Sequence, residues 1–229
     1  MLWNKIIGAG GLVGGGGGGG VTLAYADAVE SIDVSSPFTV TLMGTVNAGD
    51  LLVFYEHLTV SSGVTLTTAA PSGWTYAAGQ TSATGGTGTE FLKIALYYKI
   101  ADGSEGGTTL TSNITSGSAS GSRLRVLRFT GGVSSITVDG ATSGYDASSG
   151  FSIAASGGTA PQLVIFSLGV RTSGSFSSQS VSSGVHAQFS GEDSSTYGYD
   201  IQNSAAANIT VSFSASSAPN YAYCWLKAA

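Results

Sequence analysis

The stretch Phe91–Ile100, FLKIALYYKI, decides the fold class. With a period of two, Leu92, Ile94, Leu96, Tyr98 and Ile100 share one face, and Phe91, Lys93, Ala95, Tyr97 and Lys99 share the other. Five alternate apolar or aromatic positions without a break indicate a β-strand with one buried face. Its branched and aromatic side chains suit a pleated surface. Asp102-Gly103 and Gly106-Gly107 then stop it.

Outward from that strand the pattern repeats. Upstream, residues 38–42 alternate cleanly, Asn47-Ala48-Gly49-Asp50 forms a turn, and residues 51–58 (LLVFYEHL) form a nearly continuous apolar run. Such a run fits a central sandwich strand. Residues 64–67 make another strand, Pro71-Ser72-Gly73 a turn, Trp74-Thr75-Tyr76 a short strand, and residues 79–89 a Gly/Thr/Ser loop. Downstream, Leu110, Ser112 and Ile114 share a face. In residues 122–129 (SRLRVLRF), Leu124 and Val126 point inward while Leu127 and Phe129 take the opposite parity. This indicates either a bulge or a strand buried on both faces. Residues 133–160 form a Ser/Gly/Thr-rich connection with short strands at 136–138 and 151–153.

The second half echoes the first. Residues 162–170 (QLVIFSLGV) match 50–58, residues 197–201 match 97–100, residues 208–214 match 108–114, and residues 221–227 (YAYCWLK) match 123–129. The expected architecture is all-β, an antiparallel, jelly-roll-like β-sandwich of two similar halves, residues 48–130 and 160–229, sharing one core. Helical periodicity is confined to a short turn around residues 24–30.

Residues 1–30 stand apart as an extended N-terminal arm ahead of a sandwich domain at 31–229, with an unbroken glycine run from Gly14 to Gly20. Glycine is a poor helix former, so the run is a poor core for a secretory signal. No stretch is long and apolar enough to span a bilayer as a helix. Ordering glycine costs more backbone entropy than ordering other residues, and glycine has no side chain to recover it. An ordered arm therefore calls for backbone contact with a neighbouring chain. Leu2, Trp3, Ile6, Ile7, Leu12 and Val13 are the apolar anchors expected to dock there, with Gly14 to Gly20 following.

Charged residues make up 9% of the 229 residues, against a usual share of about 25%. Hydrophobic residues at 42% argue against disorder. A surface of Ser, Thr, Gly and Asn suits secreted proteins, adhesins and virion proteins. The net charge of −5 disfavours nucleic acid and anionic membranes as partners. Arg123, Arg125 and Arg128 read as a solvated or interface face rather than a phosphate site. Cys224 is the single cysteine, which excludes an intrachain disulfide, and its default reading is a buried inert thiol.

Chemistry-bearing constellations are weak. His57 and His186 lack a nucleophile elbow, and no catalytic residue is expected. The acidic loops Asp102-Gly103-Ser104-Glu105 and Glu192-Asp193 read as polar turns rather than calcium sites, so neither metal nor cofactor is expected. Tyr197 with Tyr199, and Tyr221 with Tyr223 and Trp225, each share a face. Such rows either stack on glycans or pack in a core or interface.

Gly49-Asp50-Leu51-Leu52-Val53, then Pro71-Ser72-Gly73-Trp74-Thr75, then Tyr97-Tyr98-Lys99-Ile100-Ala101-Asp102-Gly103-Ser104-Glu105 with a Thr-rich strand after it, resembles a domain of tailed-phage and prophage structural proteins (GDLLV…GWT…YYK.A…E…T). The resemblance covers residues 48–130. A fainter copy at 160–229 lacks the Gly-Trp-Thr and Ser-Glu elements. It implies a non-enzymatic virion protein with capsid or tail subunits as partners, most simply a capsid decoration or cement protein that forms a homo-oligomer such as a trimer. The alternatives are a tail or head fibre contacting host glycans, and a secreted carbohydrate-binding module.

Overall fold

The computed structural model describes residues 21–84, 91–145, 150–153, 161–170, 175–182, 185–188, 195–204, 207–215 and 219–229. The arm residues Leu2, Trp3, Ile6, Ile7, Leu12, Val13, Gly14 and Gly20 lie outside them. The described residues form strands numbered β1 to β18 in chain order, every pair antiparallel, with no helix.

A first five-stranded sheet contains β1 (Ala24–Asp33), β3 (Leu51–Val60), β5 (Thr75–Gly79), β7 (Phe91–Ile100) and β10 (Ala119–Thr130), in the order β1-β10-β3-β7-β5. A second contains β11 (Ile136–Tyr145), β13 (Gln162–Gly169), β15 (Val185–Gln188), β16 (Ser195–Gln202) and β18 (Asn220–Ala228), in the order β11-β18-β13-β16-β15. Three small sheets complete the molecule. They are β2 (Thr39–Thr41) with β8 (Thr109–Thr111); β4 (Thr65–Ala69) between β6 (Ser82–Thr84) and β9 (Asn113–Ser116); and β17 (Ile209–Ala215) between β12 (Gly150–Ile153) and β14 (Phe176–Val181).

The two large sheets place their strands in the same order, as two similar halves require. Leu51 of β3 pairs with Phe129 on one side and Ile100 on the other; Leu163 of β13 pairs with Leu226 and Ile201 in the same places. The matched faces also pack against each other. Leu51, Val53, Tyr55, Ile94, Leu96, Leu127 and Phe129 from the first half meet Leu163, Ile165, Tyr197, Tyr199, Cys224 and Leu226 from the second in one continuous apolar layer.

Beyond that shared layer, each half has a second core. Leu52, Phe54, Leu58, Leu124 and Val126 pack outward under the small sheets that carry Val40, Leu110, Leu66 and Ala83. In the second half Val164, Phe166, Leu168 and Trp225 pack under Ile153, Ile209, Val211 and Phe213. The core that the halves share is the central one, and two flanking cores, one in each half, add to it. Because period two sends alternate side chains to opposite faces, a strand covered on both sides must be apolar throughout. That accounts for the continuous run at 51–58.

The reading of the decisive strand as buried on one face is corrected. On β7, Ile94 and Leu96 enter the central core and Leu92 is buried, but Ala95 and Tyr97 are equally buried in the flanking core, and Lys93 lies buried beside them. The parity change in β10 is double-sided burial, since its register with β3 runs unbroken from Gly121 to Phe129. Residues 24–30, grouped by composition with the arm and read as a helical turn, lie in β1, whose ladder on β10 supplies the backbone partners a helix would have supplied itself. Strands β6, β14 and β15 were not anticipated, because their short, largely polar sequences give no sustained apolar period.

The fit between the halves is tight at Gly169, where an added Cβ would lie 2.1 Å from Leu92 Cδ2 across the central layer. Gly44 has nothing within 4 Å of such a Cβ. Gly169→Ala is expected to lower stability by about 1–3 kcal/mol in denaturant titration, and Gly44→Ala to leave it within about 0.5 kcal/mol.

Candidate functional site

The residues singled out from the sequence fall into three places. The first is the seam where the chain enters the body. Leu23 is 2% exposed in the central core, its N–H donates to Asn203 Oδ1 at 3.0 Å, and Asn203 Nδ2 donates back to its carbonyl at 2.9 Å. Asn203 belongs to the second half, so the start of the described chain is clamped between halves.

The strand that follows is fixed by the arginine stripe. Arg128 grips Asp27 with Nε at 2.8 Å and its second terminal nitrogen at 3.1 Å, and reaches Asp50 at 3.0 Å; Arg125 bonds Glu30 at 2.9 Å. Two-point Arg–carboxylate pairing is strong and directional. The hydrogen bonds to Asp27 and then Asp50 hold the Arg128 guanidinium well above its ordinary range. Arg125 and Arg128 therefore serve as the fastening of β1. The partners on β1, Asp27 and Glu30, lay in the segment grouped with the arm, so the pairing was not legible from the stripe alone.

Tyr25 completes the seam. Its ring, 43% exposed, stacks on Tyr199 at 5.3 Å and meets Phe129 edge-on at 6.0 Å, and the Arg125 guanidinium sits 4.1 Å from the centre of the Tyr197 ring. Tyr197 and Tyr199 are 3% and 7% exposed. Tyr221 and Tyr223 stack on one another at 6.0 Å, but on the opposite face of the second large sheet, against the outer core. The four tyrosines do not make one surface row.

The second place is His57. It is buried between the large sheets with Nε2 against Ser167 Oγ, and that serine donates to the Thr196 carbonyl at 3.1 Å. Burial, reinforced by Arg123 and Lys93, pushes the imidazole down to about 3. The pair joins the halves, as do Tyr55 OH on the Gly198 carbonyl at 2.9 Å and Asn220 Nδ2 on the Leu92 carbonyl at 2.8 Å. The side chain of His186, on β15, and Glu192-Asp193 lie outside the described residues. Burial likewise raises the Cys224 thiol well above its usual range.

The third place is the acidic loop. Glu105 accepts from the backbone of Asp102 at 3.2 Å and Gly103 at 3.1 Å and pairs with Lys99 at 2.8 Å. Burial alone would raise its carboxyl, but Lys99 and the backbone N–H groups of Asp102 and Glu105 outweigh it and hold it below the usual range. Its oxygens are occupied within the loop. Among the described residues no group of three or more His, Cys, Asp or Glu is placed to hold a metal ion.

Several motif residues behind the phage resemblance make structural contacts. Gly49 turns with φ +82°, Asp50 takes Arg128, Trp74 meets Phe54 edge-on at 5.8 Å after the Gly73 turn, and Lys99 pairs with Glu105. No protein-family model, curated protein or solved structure matches the chain.

Two outcomes check this geometry. Asn203→Ala, which strands the N–H and carbonyl of Leu23, is expected to cost about 1–3 kcal/mol in equilibrium unfolding. His57 has a folded pKa of about 3, below its unfolded value of about 6.5. Its contribution is thus complete above pH 6.5 and lost as pH falls toward 3. Between about pH 6.5 and 5 the chain should lose up to about 1.4 kcal/mol per pH unit through this group, and His57→Gln should remove that slope.

Proposed function

We propose that this chain is a non-enzymatic building block of a phage particle, a capsid decoration or cement protein in which the arm at residues 1–20 docks on neighbouring virion subunits while the doubled, jelly-roll-like sandwich is displayed. The observation that carries this reading is the seam. The segment that follows the glycine tract is held at Leu23 by Asn203 from the other half and along β1 by Arg125 and Arg128. A tether of this kind transmits load into a body whose two halves are locked together.

Composition supports the same reading. A 9% charged chain with Ser, Thr and Gly covering its surface suits close packing against other subunits. The partners are capsid or tail subunits and further copies of this chain, a trimer being the arrangement the resemblance permits. The burial of Tyr197 and Tyr199 leaves the glycan alternative with less aromatic surface than the sequence offered.

Deletion of residues 1–20 tests the reading. The shortened chain is expected to unfold with the full-length midpoint but to be missing from purified particles. Normal incorporation of the shortened chain would overturn the docking role, and strong binding of the full chain on a glycan array would favour the fibre reading.

A further inference from the structure

Glu56 on β3 and Lys93 on β7 lie diagonally across one ladder, where Glu56 pairs with Ala95 and Lys93 with Leu58. Both side chains are fully buried, with Lys93 Nζ 3.0 Å from Glu56 Oε2. Tyr97 OH donates to the same oxygen at 3.2 Å and Thr68 Oγ1 at 3.4 Å. Glu56 Oε1, equally buried, has no hydrogen-bond partner among the described residues. Leu58, Leu66, Ala95 and Leu124 belong to the surrounding core.

The fold does not require an acid there. The register that equates Leu51 with Leu163 puts Leu168, an apolar core residue, at the matching position of the second half. A buried ion pair is often no more stabilising than apolar side chains of the same volume, so its presence in one half alone invites a chemical explanation. An amine and a carboxyl group fixed in contact, away from water, are arranged for condensation.

We propose that Lys93 and Glu56 condense into an intramolecular amide that ties β3 to β7. Lys93 Nζ gives a proton to Oε2, and the freed lone pair attacks Cδ. A second proton then passes from nitrogen to Oε2, the Cδ–Oε2 bond breaks, and water leaves. One C–N bond forms, one C–O bond is lost, and no oxidant or reductant is needed. The Tyr97 and Thr68 hydroxyls hold the departing oxygen, while the unpartnered Oε1 remains as the amide carbonyl. Burial lowers the Lys93 ammonium from its ordinary value against the opposing pull of Glu56, which favours the neutral nucleophile. Burial, then the Glu56 charge, keeps the Tyr97 hydroxyl protonated. The product exchanges two buried charges for one neutral amide. In a chain whose single cysteine excludes an internal disulfide, it is a covalent staple between central strands.

Intact-mass spectrometry of the folded full chain, followed by proteolysis and fragment sequencing, tests this. The expected mass is below that of the sequence by one water molecule, with the peptides containing Glu56 and Lys93 recovered as one linked species. Lys93→Met and Glu56→Leu, the latter copying Leu168, should both restore the full mass. A folded wild-type chain at its full sequence mass overturns the proposal. So does a water loss that maps instead to Asp102-Gly103 or Asp139-Gly140, where succinimide formation gives the same mass.

Discussion

The apolar layer between β3 and β13 is the constraint on which the rest of the molecule depends. Each large sheet offers one face to its twin and the other to its own covering sheets. Neither β3 nor β13 retains a polar side suited to water: every β13 residue is buried, as is every β3 residue except the half-buried Thr59. Separating the halves would expose Leu51, Val53, Leu163 and Ile165 together, so the sandwiches are interdependent although each has a core of its own. The polar groups in the layer are used to join the halves. Tyr55 reaches Gly198, Asn220 reaches Leu92, and His57 meets Ser167. Buried polar groups paired in this way fix one relative placement of the sheets, where apolar contact alone would permit sliding.

Much of this was legible in the residues. The alternation in Phe91–Ile100 and the echo of residues 50–58 in 162–170 pointed to paired antiparallel halves, and the register pairs Leu51 and Leu163 with corresponding neighbours. The burial of both faces of β7 was not legible, because Lys93 and Lys99 marked that face as polar. Lys93 is buried because Glu56, 37 positions earlier in the chain, meets it. Such a partner follows from strand adjacency and not from local period. Likewise, Asp27 and Glu30 looked like charges on a detached arm until β1 was placed beside β10, with Arg125 and Arg128 within reach. The tyrosine pairs were legible as face-sharing, but which sheet face each pair occupied depended on the stacking of the halves.

The functional reading follows from where rigidity is placed. At the start of the described chain, Leu23 is held by Asn203 of the other half and Asp27 by a bidentate arginine. Within the elements that resemble a phage structural domain, Gly49 and Gly73 make turns, Asp50, Lys99 and Glu105 make ion pairs, and Trp74 makes a ring contact in the first half. A body of this kind suits a part that is held in place and must keep its shape.

The interdependence of the halves is tested most directly by unfolding watched from each side. Trp74 reports on the flanking core of the first half and Trp225 on that of the second. In chains retaining only one or the other tryptophan, denaturant-induced fluorescence changes, each calibrated against circular dichroism of the same variant, should track global unfolding in a single coincident transition. A Trp225 signal that melts apart from global unfolding while Trp74 stays native, or the reverse, would contradict the account.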